Sequence, residues 1–366
     1  MNMRPLRILT WHIHGNYLYY LTQSPHEFYL PVRPDRADGY GGRAGRFPWG
    51  DNVREVPAEQ VRELDFDVIL FQSQKNYAQD QYEILTEKQR LLPRIYLEHD
   101  PPRQHPTDTR HIVDDPNILL VHCTTFNELM WDNNRTPTVV IEHGVVVPDG
   151  ARYSGELERG IVVVNNLAKR GRRLGADIFE RLRQEVPLDL VGINAEELGG
   201  IASLAYDELH GFEARYRFFF NPIRYTSLGL AVCEAMMIGM PILGMATTEM
   251  VTAVENGVSG YVTTDVTKLR DCMRDLLADP AEARRLGDGA RRQALERFNI
   301  KRFAGDWTRA FELVTARPSR GGSRAFAGVP DSTRETNDES AWIGEKEPDG
   351  GPSGSFPLSQ AAREEK

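Results

Sequence analysis

Glu234 is the residue whose surroundings in the chain say most about chemistry. It lies in Tyr225–Gly244, YTSLGLAVCEAMMIGMPILG, where Leu230, Glu234 and Ile238 are spaced by four. That spacing puts the three on one helical face. A carboxylate on an apolar face is costly unless donors reach it. A sugar diol supplies two donors, and a buried Arg or a backbone amide would serve as well. Thr226 or Ser227 can cap a helix running from about Gly229 to Ile238, which Gly239 and Pro241 end. The free amides of Leu228, Gly229 and Leu230 would then form an anion site.

Four further segments carry candidate chemistry. Lys169, Arg170, Arg172 and Arg173 follow the apolar run Ile161–Val164, as a solvated loop or as a cradle for developing phosphate charge. His99 and Asp100 follow Ile95–Leu97 at a strand's carboxyl end, where α/β sites gather; Asp100 is positioned to orient His99. His12, His14 and Gly15 follow the first strand, and Gly15 would let backbone approach a ligand. Nothing else completes a metal site around these histidines, so no metal is expected. The segment from Arg33 to Arg54 reads as a long glycine-rich loop. Its Arg43, Arg46 and Trp49 suit an acceptor, since Arg grips anions and rings stack on sugars.

The elements that must hold these residues are legible. Continuous apolar runs at Ile8–Thr10, Val68–Phe71, Ile95–Leu97, Ile118–Val121 and Val139–Ile141 predict doubly covered strands. A second series follows at Ile161–Val164, Leu188–Val191, Arg217–Phe220, Ile242–Leu243 and Gly260–Val262. Helical stripes fall between the later ones: Leu174 to Leu182, Val266 to Leu277, Leu286 with Ala290 and Leu295, and Phe303 to Val314. Asp279-Pro280 caps and opens the third. Strands alternating with helices mean α/β.

The chain of 366 residues suggests two domains, divided in the Pro- and Gly-containing stretch Val147–Glu158. The expected bounds are 1–148, 149–316 and a disordered tail at 317–366. Of the 50 tail residues 19 are Gly, Pro or Ser, too few apolar groups to offset ordering entropy. A net charge of −9 disfavours general nucleic-acid binding. Three scattered cysteines imply no disulfide framework, and we expect a reducing, cytoplasmic setting without a signal peptide or transmembrane span.

The segment Thr226–Pro241 resembles the donor signature of retaining glycosyltransferases of the GT-B fold, the group 1 family. In that signature two Glu residues flank seven others, followed by Ala-Met-x-x-Gly-x-Pro. Glu234 stands at the second Glu, which the resemblance makes the ribose ligand; Thr226 replaces the first, which contacts the transferred sugar. Glu249 with Asn256-Gly257 and Gly260, Ile141–Val145, and Arg297-Phe298 through Trp307 are similar to further family segments. The likeness covers about residues 95–315.

The resemblance implies two Rossmann-like, doubly wound domains facing a cleft, with an acceptor domain first and a nucleotide-sugar domain second. It implies His99 and Thr226 at the transferred sugar. Leu228, Gly229, Leu230, Lys169, Arg170, Arg172, Arg173 and Gly15 would lie at the donor phosphates. No cofactor or metal is required. The partners would be a nucleoside-diphosphate sugar and a hydroxyl acceptor, with no nucleic acid. Thr226, and Asn165-Asn166 where the family has Gly-Arg, leave open a nucleotide-sugar-binding protein without transfer activity. A nucleotide-sugar epimerase of the same fold is a third reading.

Overall fold

The structure is a computed structural model that describes residues 4–316. The expected tail at 317–366 lies outside the described residues. Two parallel sheets organise the chain. The first runs β3-β2-β1-β4-β5-β6-β7, with β1 Arg7–Thr10, β2 Glu27–Val32, β3 Val53–Pro57, β4 Val68–Phe71, β5 Arg94–Glu98, β6 Ile118–His122 and β7 Thr138–Val140. The second runs β12-β11-β10-β8-β9, with β8 Leu157–Val163, β9 Leu188–Val191, β10 Tyr216–Asn221, β11 Ile242–Met245 and β12 Gly260–Thr263. Every expected strand is present. Those that read as continuous apolar runs, such as β4 and β10, are buried along their whole length.

The helices of the first half are α1 Gly15–Leu21, α2 Gln81–Ile84, α3 Glu87–Arg90 and α4 Thr125–Met130. The second series comprises α5 Leu167–Leu174, α6 Ala176–Leu182, α7 Tyr206–Glu213, α8 Leu230–Ile238, α9 Met250–Ala253, α10 Val266–Ala278, α11 Pro280–Arg297 and α12 Ile300–Thr315.

Four local expectations are corrected. The stretch read as loop from Arg33 to Arg54 is flanked by β2 and β3, which went unseen. Pro31 and Pro57 look like breakers, and β3 is a short edge strand with two exposed charges. The stripe Leu174–Leu182 spans a break at Gly175, whose φ of 84° is left-handed. A Cβ there would sit 2.0 Å from the Pro222 carbonyl oxygen, so only glycine fits. Neither Thr226 nor Ser227 caps α8; the cap is Gly229, without a side-chain bond. Leu295 is 46% exposed and Ala294 faces inward instead, because five residues beyond Ala290 overshoots the buried face.

Asp279 does cap α11, accepting from the Ala281 and Glu282 amides at 3.0 Å each. Asp279→Ala should cost about 1 kcal/mol. A lower urea midpoint with unchanged slope would show it; an unmoved midpoint would deny the cap any contribution.

Helix α12, grouped by sequence with the second half, packs on the first sheet. Phe311 meets His26 and Phe28, and the buried Trp307 indole donates to the Tyr17 hydroxyl at 3.3 Å. Each sheet reverses its winding once, between β1 and β4 in the first and between β8 and β10 in the second. The carboxyl ends beside these two points meet across a common seam, and open α/β sheets place their sites at such points.

Candidate active site

The first half supplies a group of imidazoles. His14 caps the start of α1, and its ring lies 4.3 Å from that of His99 at the end of β5. Tyr17, buried, presents its ring to His99 at 4.9 Å and to His143 at 5.8 Å. His99 is oriented by Gln72, whose Oε1 lies 3.2 Å from Nε2. Gln72 is itself fixed by donating to Thr10 Oγ1 and the Trp11 carbonyl. Asp100, expected to orient His99, instead accepts from Arg103. Burial, then the neighbouring His14 and His143, hold His99 well below the ordinary imidazole range.

His143 ties the halves together. Its Nε2 donates to the Leu228 carbonyl at 2.8 Å, immediately before α8. Burial lowers its pKa to about 4, against the opposing pull of that hydrogen bond. Sequence reasoning gave His143 no role, because its partner lies 85 residues away.

The second half supplies the cations. A non-helical Gly171 kinks α5 and splits its basic run. Arg172 turns out to Asp177, at 2.6 Å, while Lys169 is exposed. Arg170 and Arg173 are half-buried and form no ion pair among the described residues. Both have pKa values lowered, first by burial; Arg170 is further lowered by Arg173, and Arg173 by Arg103. A cationic pocket that repels itself suits an incoming anion. The start of α8 opens nearby, with Leu228 buried and Gly229 and Leu230 partly open. Thr226 is partly buried in the same turn, next to Tyr225, whose hydroxyl donates to the Pro102 carbonyl at 2.8 Å.

Glu234 is 2% exposed and already satisfied by protein donors. The Tyr20 hydroxyl donates to Oε1 at 2.6 Å and Asn16 Nδ2 at 3.1 Å, while His210 Nε2 lies 3.7 Å from Oε2. Burial presses its pKa up, but these contacts outweigh burial and hold it below the usual carboxylate value. Both hydrogen-bond donors come from α1, more than 200 residues away, so spacing found the carboxylate but not its partners. Glu249 plays a similar part, accepting from the Phe126 amide at 3.1 Å and from Arg297 at 3.0 Å.

Gly15 and the Arg33–Asn52 loop form a strap at one side. A Cβ on Gly15 would meet Phe47 at 2.9 Å, so the small residue here makes room for the strap. Phe47 stacks on Tyr19 at 5.5 Å and meets Tyr206 at 5.2 Å; Trp49 packs on Tyr19 and Phe47. Arg46 is committed to Asp207 and Glu208 of α7, at 2.7 and 3.0 Å. Arg43 holds the strap's own shape through its amide to Glu55 and its guanidinium to the Trp49 carbonyl. Arg46→Ala should leave the urea midpoint nearly unmoved, since the pair is exposed and screened by solvent; a clear fall in the midpoint would mean the strap carries more than this contact.

The structure therefore brings together His99, Thr226, Leu228, Gly229, Leu230, Arg170 and Arg173. It sets Arg172, Arg43 and Arg46 on contacts of their own. Among the described residues no group of three His, Cys, Asp or Glu side chains is placed to hold a metal, and no helix is long and apolar enough to cross a membrane.

Residues 158–279 match the family model for glycosyl transferases group 1. No curated protein matches the chain. Among solved structures it is similar to a sucrose-phosphate synthase from Thermosynechococcus elongatus, 14% identical with a TM-score of 0.61, over 86% of this chain and 100% of that one. It is similar to Anabaena HepE in complex with UDP-glucose, 14% identical with a TM-score of 0.62, over 84% and 100%. A glycosyltransferase from Rickettsia africae matches at 10% identity and a TM-score of 0.58, over 86% and 99%. The chain has the GT-B fold, with two parallel α/β sheets.

Proposed function

We propose that this chain is a glycosyltransferase that moves a sugar from a nucleoside diphosphate to a hydroxyl acceptor with retention of configuration. One observation carries the reading. The segment matching the family model contains Arg170, Arg173 and the start of α8, and the Leu228 carbonyl just before α8 accepts from His143, which shares the Tyr17 ring with His99. The UDP and UDP-glucose complexes of HepE make uridine the first base to test.

The departing diphosphate gains negative charge, which Arg170, Arg173 and the first amides of α8 stabilise in place. His99, kept neutral, accepts or donates hydrogen bonds to sugar hydroxyls without adding a competing charge. Retention follows if the leaving phosphate takes the acceptor proton on the face it has just left; no protein nucleophile is assigned. The two halves form the donor and acceptor sides, with the seam closing out water that would hydrolyse the donor. Glu234 Oε2, which meets only His210 at 3.7 Å, has lone pairs to spare for a ribose hydroxyl, but at 2% exposure Glu234 can meet a sugar only if α1 shifts.

Proton NMR of the sugar released from UDP-glucose tests the reading. The first-formed product should be the α anomer; a β anomer would overturn retention. The binding-only reading has its own support, in Thr226 and in the satisfied Glu234. It requires that UDP-glucose binds yet no sugar appears in that experiment, even with acceptors added.

A further inference from the structure

His99 is held by a residue that the glycosyl-transfer reading leaves without a role. Gln72, 4% exposed, directly follows β4, and His99 directly follows β5, the strand paired with it. The two side chains meet at the carboxyl end of the first sheet. The His99 carbonyl accepts from Asn127 Nδ2 at 3.3 Å, which anchors the backbone behind the ring.

The Gln72 amide can sit only one way round. Its Nε2 donates to Thr10 Oγ1 at 2.8 Å and to the Trp11 carbonyl at 2.9 Å, which uses both of its hydrogens. Turned over, the amide oxygen would face the Trp11 carbonyl oxygen, two acceptors with no hydrogen between them. Oε1 is therefore the atom that lies 3.2 Å from His99 Nε2. An oxygen there needs a donor, so Nε2 carries the proton. A neutral imidazole has one N–H, and the crowded surroundings of His99 keep it neutral. Nδ1 is left with a bare lone pair. Among the described residues nothing donates to it, and His99 keeps some open surface, so that lone pair is free for a ligand.

We propose that Gln72 fixes the Nε2–H tautomer of His99 and thereby sets Nδ1 as the acceptor for one hydroxyl of the transferred sugar. Resting on the glycosyl-transfer reading, this narrows the donor class: at that point the sugar must carry a free hydroxyl that donates. A deoxygenated, methylated or fluorinated position cannot. Gln72 is a positioning residue, since it acts through His99.

Nitrogen NMR of the full chain with isotope-labelled histidine reads the tautomer directly. His99→Gln identifies the His99 signals by their loss. The free protein should show Nε2 protonated and Nδ1 bare; the reverse pattern, or an even mixture, would overturn the proposal. UDP-glucose should then move the Nδ1 resonance in the sense of an accepted hydrogen bond, whereas UDP should not. Gln72→Met keeps the size of the side chain and removes its acceptor. It should redistribute the His99 tautomers and weaken UDP-glucose binding about tenfold, with UDP affinity unchanged. Gln72→Glu, which restores an oxygen toward Nε2, should restore protonation there. A merely structural Gln72 would lower both affinities together and leave the tautomer as it was. If UDP-glucose binds and Nδ1 does not respond, the hydroxyl assignment is overturned. If neither nucleotide binds, the glycosyl-transfer reading fails on its own account, and the tautomer of the free protein still decides for or against Gln72.

Discussion

Replacing Arg170 and Arg173 together by alanine should weaken nucleoside-diphosphate binding by two orders of magnitude or more while leaving the fold at least as stable. Each guanidinium offers charge-assisted hydrogen bonds, worth about 1.5–3 kcal/mol apiece. Losing two gives about 3–6 kcal/mol, or roughly 10² to 10⁴ in affinity. The stability side has the opposite sign. Both cations are half-buried and without an ion pair among the described residues, and their lowered pKa values reflect burial and mutual repulsion. Removing them relieves that cost in the free protein. Calorimetric titration and thermal melting of the same sample separate the two effects. A variant that binds normally would remove the pocket from the donor site. One that binds poorly because it has unfolded would show these arginines to be structural.

Stability should also fall steeply as pH drops from about 6.5 to about 4. His122 and His143 are buried, and burial lowers each pKa to about 4, with the Asn133 and Leu228 hydrogen bonds opposing. Their ordinary value in an unfolded chain is about 6.5. Between those limits the unfolded chain binds protons that the folded one refuses, so stability rises with pH there. The contribution is complete above about pH 6.5 and is lost as pH falls through that window. A shift of this size corresponds to about 3 kcal/mol per imidazole. Two such groups rival the whole stability of a typical domain. His99, also held low by burial, adds to the effect.

One carboxylate works against them. Glu213 is 1% exposed and lacks a hydrogen-bond partner among the described residues; burial and then Glu234 raise its pKa. It favours the folded state at low pH and costs stability as pH rises. Urea unfolding at about pH 7, 5.5 and 4.5 should show the histidines prevailing, with His143→Gln flattening the profile. A stability that stays level across this range would mean that buried imidazoles do not govern it.

The legible parts of the molecule were those written locally. Strands covered on both faces announce themselves as unbroken apolar runs, as β4, β6 and β10 do. The cap at Asp279 and the stop at Gly239 follow from single residues whose backbone preferences are strong. Edge strand β3 was illegible because its charged residues face solvent and its order in the sheet is decided by pairing with β2. Within the site, spacing isolated Glu234 and the basic run, but not their state. Whether Arg170 and Arg172 face the same way depends on the kink at Gly171. That Glu234 meets Asn16 and Tyr20 depends on how α1 docks, which is a property of the assembled fold. His143 was missed because its significance lies wholly in a contact across the seam.

The donor site proposed at the seam is open to one direct measurement. A thermal-shift comparison of UDP, GDP and ADP, each with its glucose conjugate, on the full chain and on Arg170→Ala with Arg173→Ala, bears most directly on the donor site. One nucleotide series should stabilise the full chain, by about 2.7 kcal/mol at 100 times its dissociation constant, and should fail to stabilise the double variant. If no nucleotide shifts the melt at millimolar concentration, the seam is not a nucleotide-sugar site.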